Sequence, residues 1–227
     1  MTEDEIIKFI DTMKNTMFAR CDIAIPYEDM LEEFNNFMKV NTVEFVPFQT
    51  TLGNAQKYNL DVLSLIDQVD DPQNAGNYIG GKSLLLKPQP TSLKPHFPKT
   101  LTWLKNNIPG IIRCKISRLK ASSCTDFHIH PHRLPQLDGV LHIPLITNKA
   151  VHFHTREIEN KKTLKSHHFS TGYMWWFNAQ EHIEHAVTNF GSEDRWHLWI
   201  NTRIIDTKYN IMGHDRLYNA LLNSEKF

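Results

Sequence analysis

Cysteine is scarce in this chain: three in 227 residues, Cys21, Cys114 and Cys124. They stand at no metal-ligand spacing. An odd, sparse set excludes a disulfide framework and points to reduced thiols in an intracellular protein. An excess of charge of one sign is also missing. Lys plus Arg is 25 and Asp plus Glu is 25, so the formal net charge is zero. The chain therefore carries no electrostatic footprint for nucleic acid or another polyanion. No apolar run approaches the roughly 20 residues that a membrane-spanning helix needs. The first residues, Met-Thr-Glu-Asp-Glu, are acidic, which is wrong for a signal peptide. There is no internal repeat and no low-complexity tract. The expectation is a soluble, cytoplasmic protein with neither a membrane nor a nucleic acid as partner.

Histidine is the exception to this scarcity. There are thirteen, most of them between His128 and His197. Around them the chain changes character. Residues 1–110 read mainly as helix. Ile6, Ile7, Phe9, Ile10 and Met13 recur at helical spacing after Thr2, a suitable N-cap. Met30, Leu31, Phe34 and Met38 form an apolar stripe through Tyr27–Phe37. A third helix is expected over Leu60–Val69, ended by Asp70-Asp71-Pro72. Four prolines, Pro88, Pro90, Pro95 and Pro98, mark a connector, and a short helix is expected over Leu101–Asn106.

From Ile111 the runs become short and rich in Ile, Val, Phe, Trp and Thr, separated by Ser, Asn, Asp and Gly. Strands are expected at Ile111–Leu119, Phe127–His130, Val140–Ile146, Val151–His154, Leu164–Phe169, Tyr173–Phe177, His185–Phe190 and Arg195–Thr202. So many short strands in about ninety residues fit a jelly roll. The fold expected is α+β: a double-stranded β-helix core over 111–203, an α-rich region over 1–110 packed on it, and a helical tail over 204–227, with its helix at Asp215–Leu222.

One motif is a decoy. Gly76-Asn-Tyr-Ile-Gly-Gly81-Lys82-Ser83 satisfies the phosphate-loop pattern. That chemistry needs a buried strand before the loop and a long helix after it. Here the residues before it are polar and turn-like, and the apolar run Leu84–Leu86 stops at Pro88. A glycine turn is the better reading.

Three segments carry the chemistry: Asp-Phe-His-Ile-His-Pro-His-Arg (126–133), Leu-His-Ile-Pro-Leu-Ile-Thr-Asn (141–148), and His185-Ala-Val-Thr-Asn189 with Asp194-Arg195-Trp-His-Leu beyond it. Imidazole is a preferred ligand of divalent iron, zinc, copper and nickel. Arginine is the usual partner of a carboxylate. Imidazoles at both ends of a β-rich region, with an arginine ten residues after the last, point to a redox metal beside an organic acid. His128, His130 and His132 alternate, so on a regular strand they share one face. Any one of them alone is more simply a polar edge; the second cluster, His182 and His185, makes the difference.

These segments, with the Gly172–Leu198 stretch that contains Trp176-Phe177-Asn178, resemble the aspartyl/asparaginyl β-hydroxylase family of iron(II)- and 2-oxoglutarate-dependent dioxygenases, which includes free-proline hydroxylases. The resemblance covers residues 111–202. It implies that His132 and His185 ligate Fe(II). It implies that Arg195 anchors the distal carboxylate of 2-oxoglutarate, that His142 assists it, and that Ser117 stands nearby. Many members carry an aspartate two residues after the first histidine, and here that residue is Leu134. Water is then expected at that corner of the metal, with His130 the best substitute within the chain and Asp138 another. Trp175 and Trp176 alternate and are expected to serve packing, one of them facing the core. Asn189 reads as a turn or strand-end hydrogen bonder and His197 as packing beside Arg195.

The activity implied is hydroxylation of a C–H bond of an amino acid, or of an Asp, Asn or Pro side chain in a protein. It consumes O2 and releases succinate and CO2. The alternative is a cupin-like metal-binding protein without dioxygenase activity. Arg195 separates the two, because a cupin has no need of it.

Overall fold

A computed structural model describes residues 3–40, 46–47, 60–67, 89–108, 110–129, 138–179, 182–203 and 215–227. Its helices are α1 (Glu3–Lys14), α2 (Tyr27–Val40), α3 (Pro98–Asn107) and α4 (Asp215–Leu222). The strands are β1 (Phe18–Arg20), β2 (Val46–Pro47), β3 (Leu60–Asp67), β4 (Gln89–Pro90), β5 (Ile111–Leu119), β6 (Ser123–Cys124), β7 (Asp138–Ile146), β8 (Val151–Glu157), β9 (Lys165–His167), β10 (Trp175–Phe177), β11 (Ile183–Asn189), β12 (Arg195–Arg203) and β13 (Glu225–Lys226).

Among the described residues these strands form two antiparallel sheets. The larger runs β13-β1-β10-β7-β12-β5-β3-β2, with β4 also on β3; the smaller runs β6-β11-β8-β9. Strand alternation sends each strand of the larger sheet to two cores. Leu63, Leu65, Cys114, Ile116, Leu141, Ile143, Leu198 and Ile200 pack with Phe9, Met13, Met30, Phe34 and Phe37 of α1 and α2. Leu119, Val140, Trp175 and Phe177 pack with Val151, Phe153, Ile183 and Val187 of the smaller sheet.

The α1 and α2 stripes keep to the helical period, with Phe9, Met13, Met30, Phe34 and Phe37 each under 3 % exposed. α3 starts at Pro98, whose ring suits the first helical turn. Its cap comes from another helix. The buried Glu33 carboxylate of α2 accepts the backbone N–H of Lys99 (2.7 Å) and of Thr100 (3.0 Å), and the Thr100 hydroxyl (2.7 Å). An anion on the first N–H groups of a helix satisfies orphan donors and the helix dipole together.

The helix expected over Leu60–Val69 is a strand. β3 pairs with β5 in the register Val62↔Ser117 and Leu63↔Ile116. It is covered on both faces, so its apolar residues run on without a clean period of two, and such a run cannot be told from a buried helix by pattern. Its two acids mark the strand instead. Asp61 meets Arg118, and Asp67 meets Arg113 at 3.2 Å, both arginines on β5. The region before residue 110 therefore supplies strands to the larger sheet as well as helices. The run expected at Phe127–His130 reduces to a single bridge at His128, and His130 lies outside the described residues. The glycine turn at 76–83 lies outside them too. Both Trp175 and Trp176 are buried, at 3 % and 1 %. The expectation that only one faces a core fails because the sheet is covered on both sides.

Asn189 ties one end of the two sheets together, as expected of a strand-end hydrogen bonder. Its Nδ2 donates to the carbonyls of Leu119 (3.3 Å), Lys120 (3.1 Å) and Glu193 (2.8 Å), and its Oδ1 accepts from Gly191 N–H (3.1 Å). Asn148 joins this clasp through Nδ2, 3.3 Å from Asn189 Oδ1. A Cβ on Gly191 would stand 2.5 Å from Asn148 Oδ1, so a side chain there would push the Asn148 amide out of the clasp.

Candidate active site

The inner face of the larger sheet becomes polar where β5, β12 and β7 run side by side. Arg195, His197 and Trp199 alternate along β12, so they share that face. The register sets His197 opposite Ser117 of β5 and Trp199 opposite His142 of β7. The smaller sheet contributes Phe153 and Thr155 from β8 and His185 from β11, and Thr155 pairs with His185. Arg195, Ser117, His142, His197, Thr155 and His185 are each at most 5 % exposed.

Arg195 donates from Nη2 to Ser117 Oγ at 3.1 Å. Its guanidinium carbon lies 5.4 Å from the centre of the Phe153 ring. Burial holds its pKa down to about 9, which still leaves the cation charged at neutral pH. Its Nε has no partner among the described residues, and none of the ion pairs among them involves it. A buried charge without a counterion is costly, and a guanidinium is shaped to take a carboxylate.

The neighbouring groups are in the same state. His142 and His197 stand with ring centres 5.6 Å apart, and Phe153 packs 4.9 Å from the former and 5.7 Å from the latter. Burial, and then the Arg195 charge, holds both imidazoles well below their ordinary pKa, so both are neutral. All four of their ring nitrogens, and Thr155 Oγ1, lack a partner among the described residues. Buried polar groups are normally satisfied. A buried cluster of a charged guanidinium, two neutral imidazoles and two hydroxyls therefore suits an acceptor-rich anion.

His185 faces the same interior, 4.9 Å from the Phe177 ring, and the His128 ring lies 4.2 Å from it, centre to centre. Among the described residues no three His, Cys, Asp or Glu side chains are grouped to hold a metal. His130, His132 and Leu134 lie outside those residues.

Residues 27–203 match the model of a protein family, aspartyl/asparaginyl β-hydroxylase. The chain belongs to this family. Hydroxylases of the family are iron(II)- and 2-oxoglutarate-dependent dioxygenases, and membership brings the function expected of the chain. No curated protein matches it by sequence. Solved structures with the same fold include an oxidoreductase of the 2OG-Fe(II) oxygenase family from Burkholderia pseudomallei (TM-score 0.55, 14 % identity, 89 % of this chain and 92 % of that one). A prolyl hydroxylase from Trichoplax adhaerens, in complex with a peptide fragment of the oxygen degradation domain of hypoxia inducible factor, gives a TM-score of 0.54 at 11 % identity over 89 % and 94 %. A prolyl-4-hydroxylase from Pseudomonas putida gives 0.51 at 8 % identity over 87 % and 98 %.

Of the expected site residues, the fold brings Ser117, His142 and Arg195 into one chamber and turns His185 toward it. Sequence reasoning undervalued His197 and passed over Thr155. His197 was legible, since it lies two residues from Arg195 on one strand. Thr155 emerges only from the β8–β11 register. Lys115 was also missed. It is 2 % exposed, and its Nζ lies 5.6 Å from the Trp199 ring centre. Burial, then Arg113, lowers its pKa to about 8 against the pull of Asp67.

Proposed function

We propose that this chain is a hydroxylase that binds 2-oxoglutarate between its two sheets and acts on an amino acid or on a side chain of a protein or peptide. The observation that carries the reading is the chamber itself: a buried, charged Arg195 beside Ser117, faced by His142 and His197 with unsatisfied ring nitrogens. A dicarboxylate supplies the acceptors this set lacks. Arg195 and Ser117 hold the distal carboxylate. His142 and His197 are neutral, so each donates one N–H without adding charge. Phe153 and Phe177 keep water from the acid, which strengthens each of these hydrogen bonds.

Iron(II) fits the donors near the chamber mouth, where His185 is a buried imidazole facing inward. Family resemblance gives it His132 as partner and leaves the corner after Leu134 to water or His130. When bound, the metal supplies the O2 chemistry that couples loss of CO2 from the oxo-acid to C–H hydroxylation. The chain's own part is to fix the acid, exclude water and hold the substrate near the metal. The core of this machinery is residues 111–203, read as a double-stranded β-helix. Residues 1–110 cover and extend it, and 204–227 form a tail.

A cupin-like protein without dioxygenase activity has no use for Arg195 and gains no support. Among the described residues no helix is long and apolar enough to cross a membrane. The peptide held by the Trichoplax enzyme makes peptides a natural first screen. The test is succinate formation from 2-oxoglutarate with Fe(II) and O2, measured across free amino acids and Asp-, Asn- and Pro-containing peptides. The reading predicts one class that raises succinate release and gains an oxygen atom by mass. Succinate release absent under all conditions, with metal and 2-oxoglutarate bound, would reduce the protein to a binder.

A further inference from the structure

The pairing of β11 sets a second imidazole beside His185. Ser123 and Cys124 pair regularly with Asn189 and Thr188. Thr125 continues that register: its N–H donates to the Val187 carbonyl at 2.8 Å, and its hydroxyl accepts the Val187 N–H at 2.8 Å. In unbroken register the next inward pair would be Phe127 with His185. The structure shows His128 there instead, bridged to His185 by two backbone hydrogen bonds of 3.0 Å. Three residues on this strand therefore span two on β11, which is a bulge of one residue. Phe127 turns outward, where the Arg156 guanidinium sits 3.8 Å above its ring. Bulges of this kind re-aim a side chain beside active sites.

The re-aimed side chain has the chemistry of a ligand. The His128 and His185 rings stand 4.2 Å apart, tilted by 54°. Two imidazoles bound at right angles to one ion at about 2.1 Å place their ring centres roughly 4.5 Å apart. His128 Nδ1 lies 2.9 Å from the Asp126 carbonyl oxygen. A carbonyl only accepts, so Nδ1 carries a proton and Nε2 is the nitrogen through which the ring would ligate. A backbone carbonyl on the far nitrogen is the usual support of a metal-bound histidine. His185 is 5 % exposed and His128 half-buried, so the pair runs from the buried interior toward solvent.

We propose that His128 is a metal ligand that shares the divalent metal with His185. The proposal rests on reading His185 as a ligand.

The experiment is anaerobic equilibrium dialysis of the full chain against Fe(II), and separately Co(II), with the bound metal quantified and the visible Co(II) spectrum recorded. His128→Ala should weaken binding at least tenfold and shift the Co(II) bands. His152→Ala, on the outer face of the smaller sheet, should change neither. His128→Gly with added free imidazole should regain affinity and the original bands, which separates a lost ligand from a damaged fold. Wild-type affinity and spectrum in His128→Ala, or a His128→Gly protein that is folded by circular dichroism yet not rescued, would overturn the proposal. His185→Ala tests the underlying reading separately. If it binds metal as the wild type does, the metal centre itself is wrong.

Discussion

Replacing Arg195 by methionine should separate two effects that most active-site substitutions mix. In the ligand-free protein the buried guanidinium has Ser117 Oγ at 3.1 Å and no counter-charge among the described residues. Methionine fills similar space without a charge to desolvate, and such exchanges are neutral or stabilising. The ligand-free variant should therefore unfold at the same temperature as the wild type, or higher. With 2-oxoglutarate the order should reverse. Hydrogen bonds to a charged group are worth about 1.5–3 kcal/mol, so the variant should bind 2-oxoglutarate roughly 10- to 150-fold more weakly. At a hundred times the wild-type Kd, the ligand stabilises the wild type by about 2.7 kcal/mol. For a domain of this size that is a rise of roughly 5–10 °C. The assay is thermal unfolding with Mn(II), with and without 2-oxoglutarate, alongside calorimetric titration. Equal ligand-induced shifts in the two proteins would refute the assignment of Arg195. So would a large loss of stability in the ligand-free variant, which would make Arg195 a structural residue.

The same contacts set other outcomes. His142 and His197 are held neutral, so the unfolded chain binds more protons below its ordinary histidine pKa of 6.5. Their contribution is complete above pH 6.5 and is lost as pH falls below it, by about 2–3 kcal/mol in all at pH 5.5. Denaturant titrations of the metal-free protein at several pH values should show that slope, and His197→Asn should remove about half of it. Asp67→Ala strips the buried Arg113 of the carboxylate 3.2 Å from it and should cost about 3–5 kcal/mol in the same assay. Gly191→Ala drives a methyl against Asn148 and loosens the clasp on Asn189. It should lower the unfolding midpoint while leaving 2-oxoglutarate affinity within about twofold, a margin well under the tenfold that 1.4 kcal/mol represents.

Much of the fold is legible where one pattern dominates. Ile111–Leu119 is β5, with Ile112, Cys114 and Ile116 alternating with polar residues; Asp215–Leu222 is the terminal helix α4. Strand alternation and short motifs name Ser117, His142 and Arg195, which lie together on the inner face of the larger sheet. β3 is not legible, because a strand covered on both faces loses its alternation. The role of His128 is hidden for a different reason. On a regular strand the alternation of His128, His130 and His132 would place all three on one face, but that His128 opposes His185 depends on a single extra residue before it. A bulge leaves no mark on periodicity. It is fixed by pairing with a strand sixty residues away, and by Phe127 finding Arg156 on the outer face.

The central claim is that one protein chamber holds Fe(II) and 2-oxoglutarate together. Anaerobic addition of 2-oxoglutarate to the Fe(II)-loaded protein, monitored by visible absorption, tests it most directly. The account predicts a weak charge-transfer band that saturates at one 2-oxoglutarate per chain and is absent in the Arg195→Met and His185→Ala variants at the same concentrations. A wild-type protein that binds Fe(II) stoichiometrically yet shows no such band at any 2-oxoglutarate concentration would contradict it.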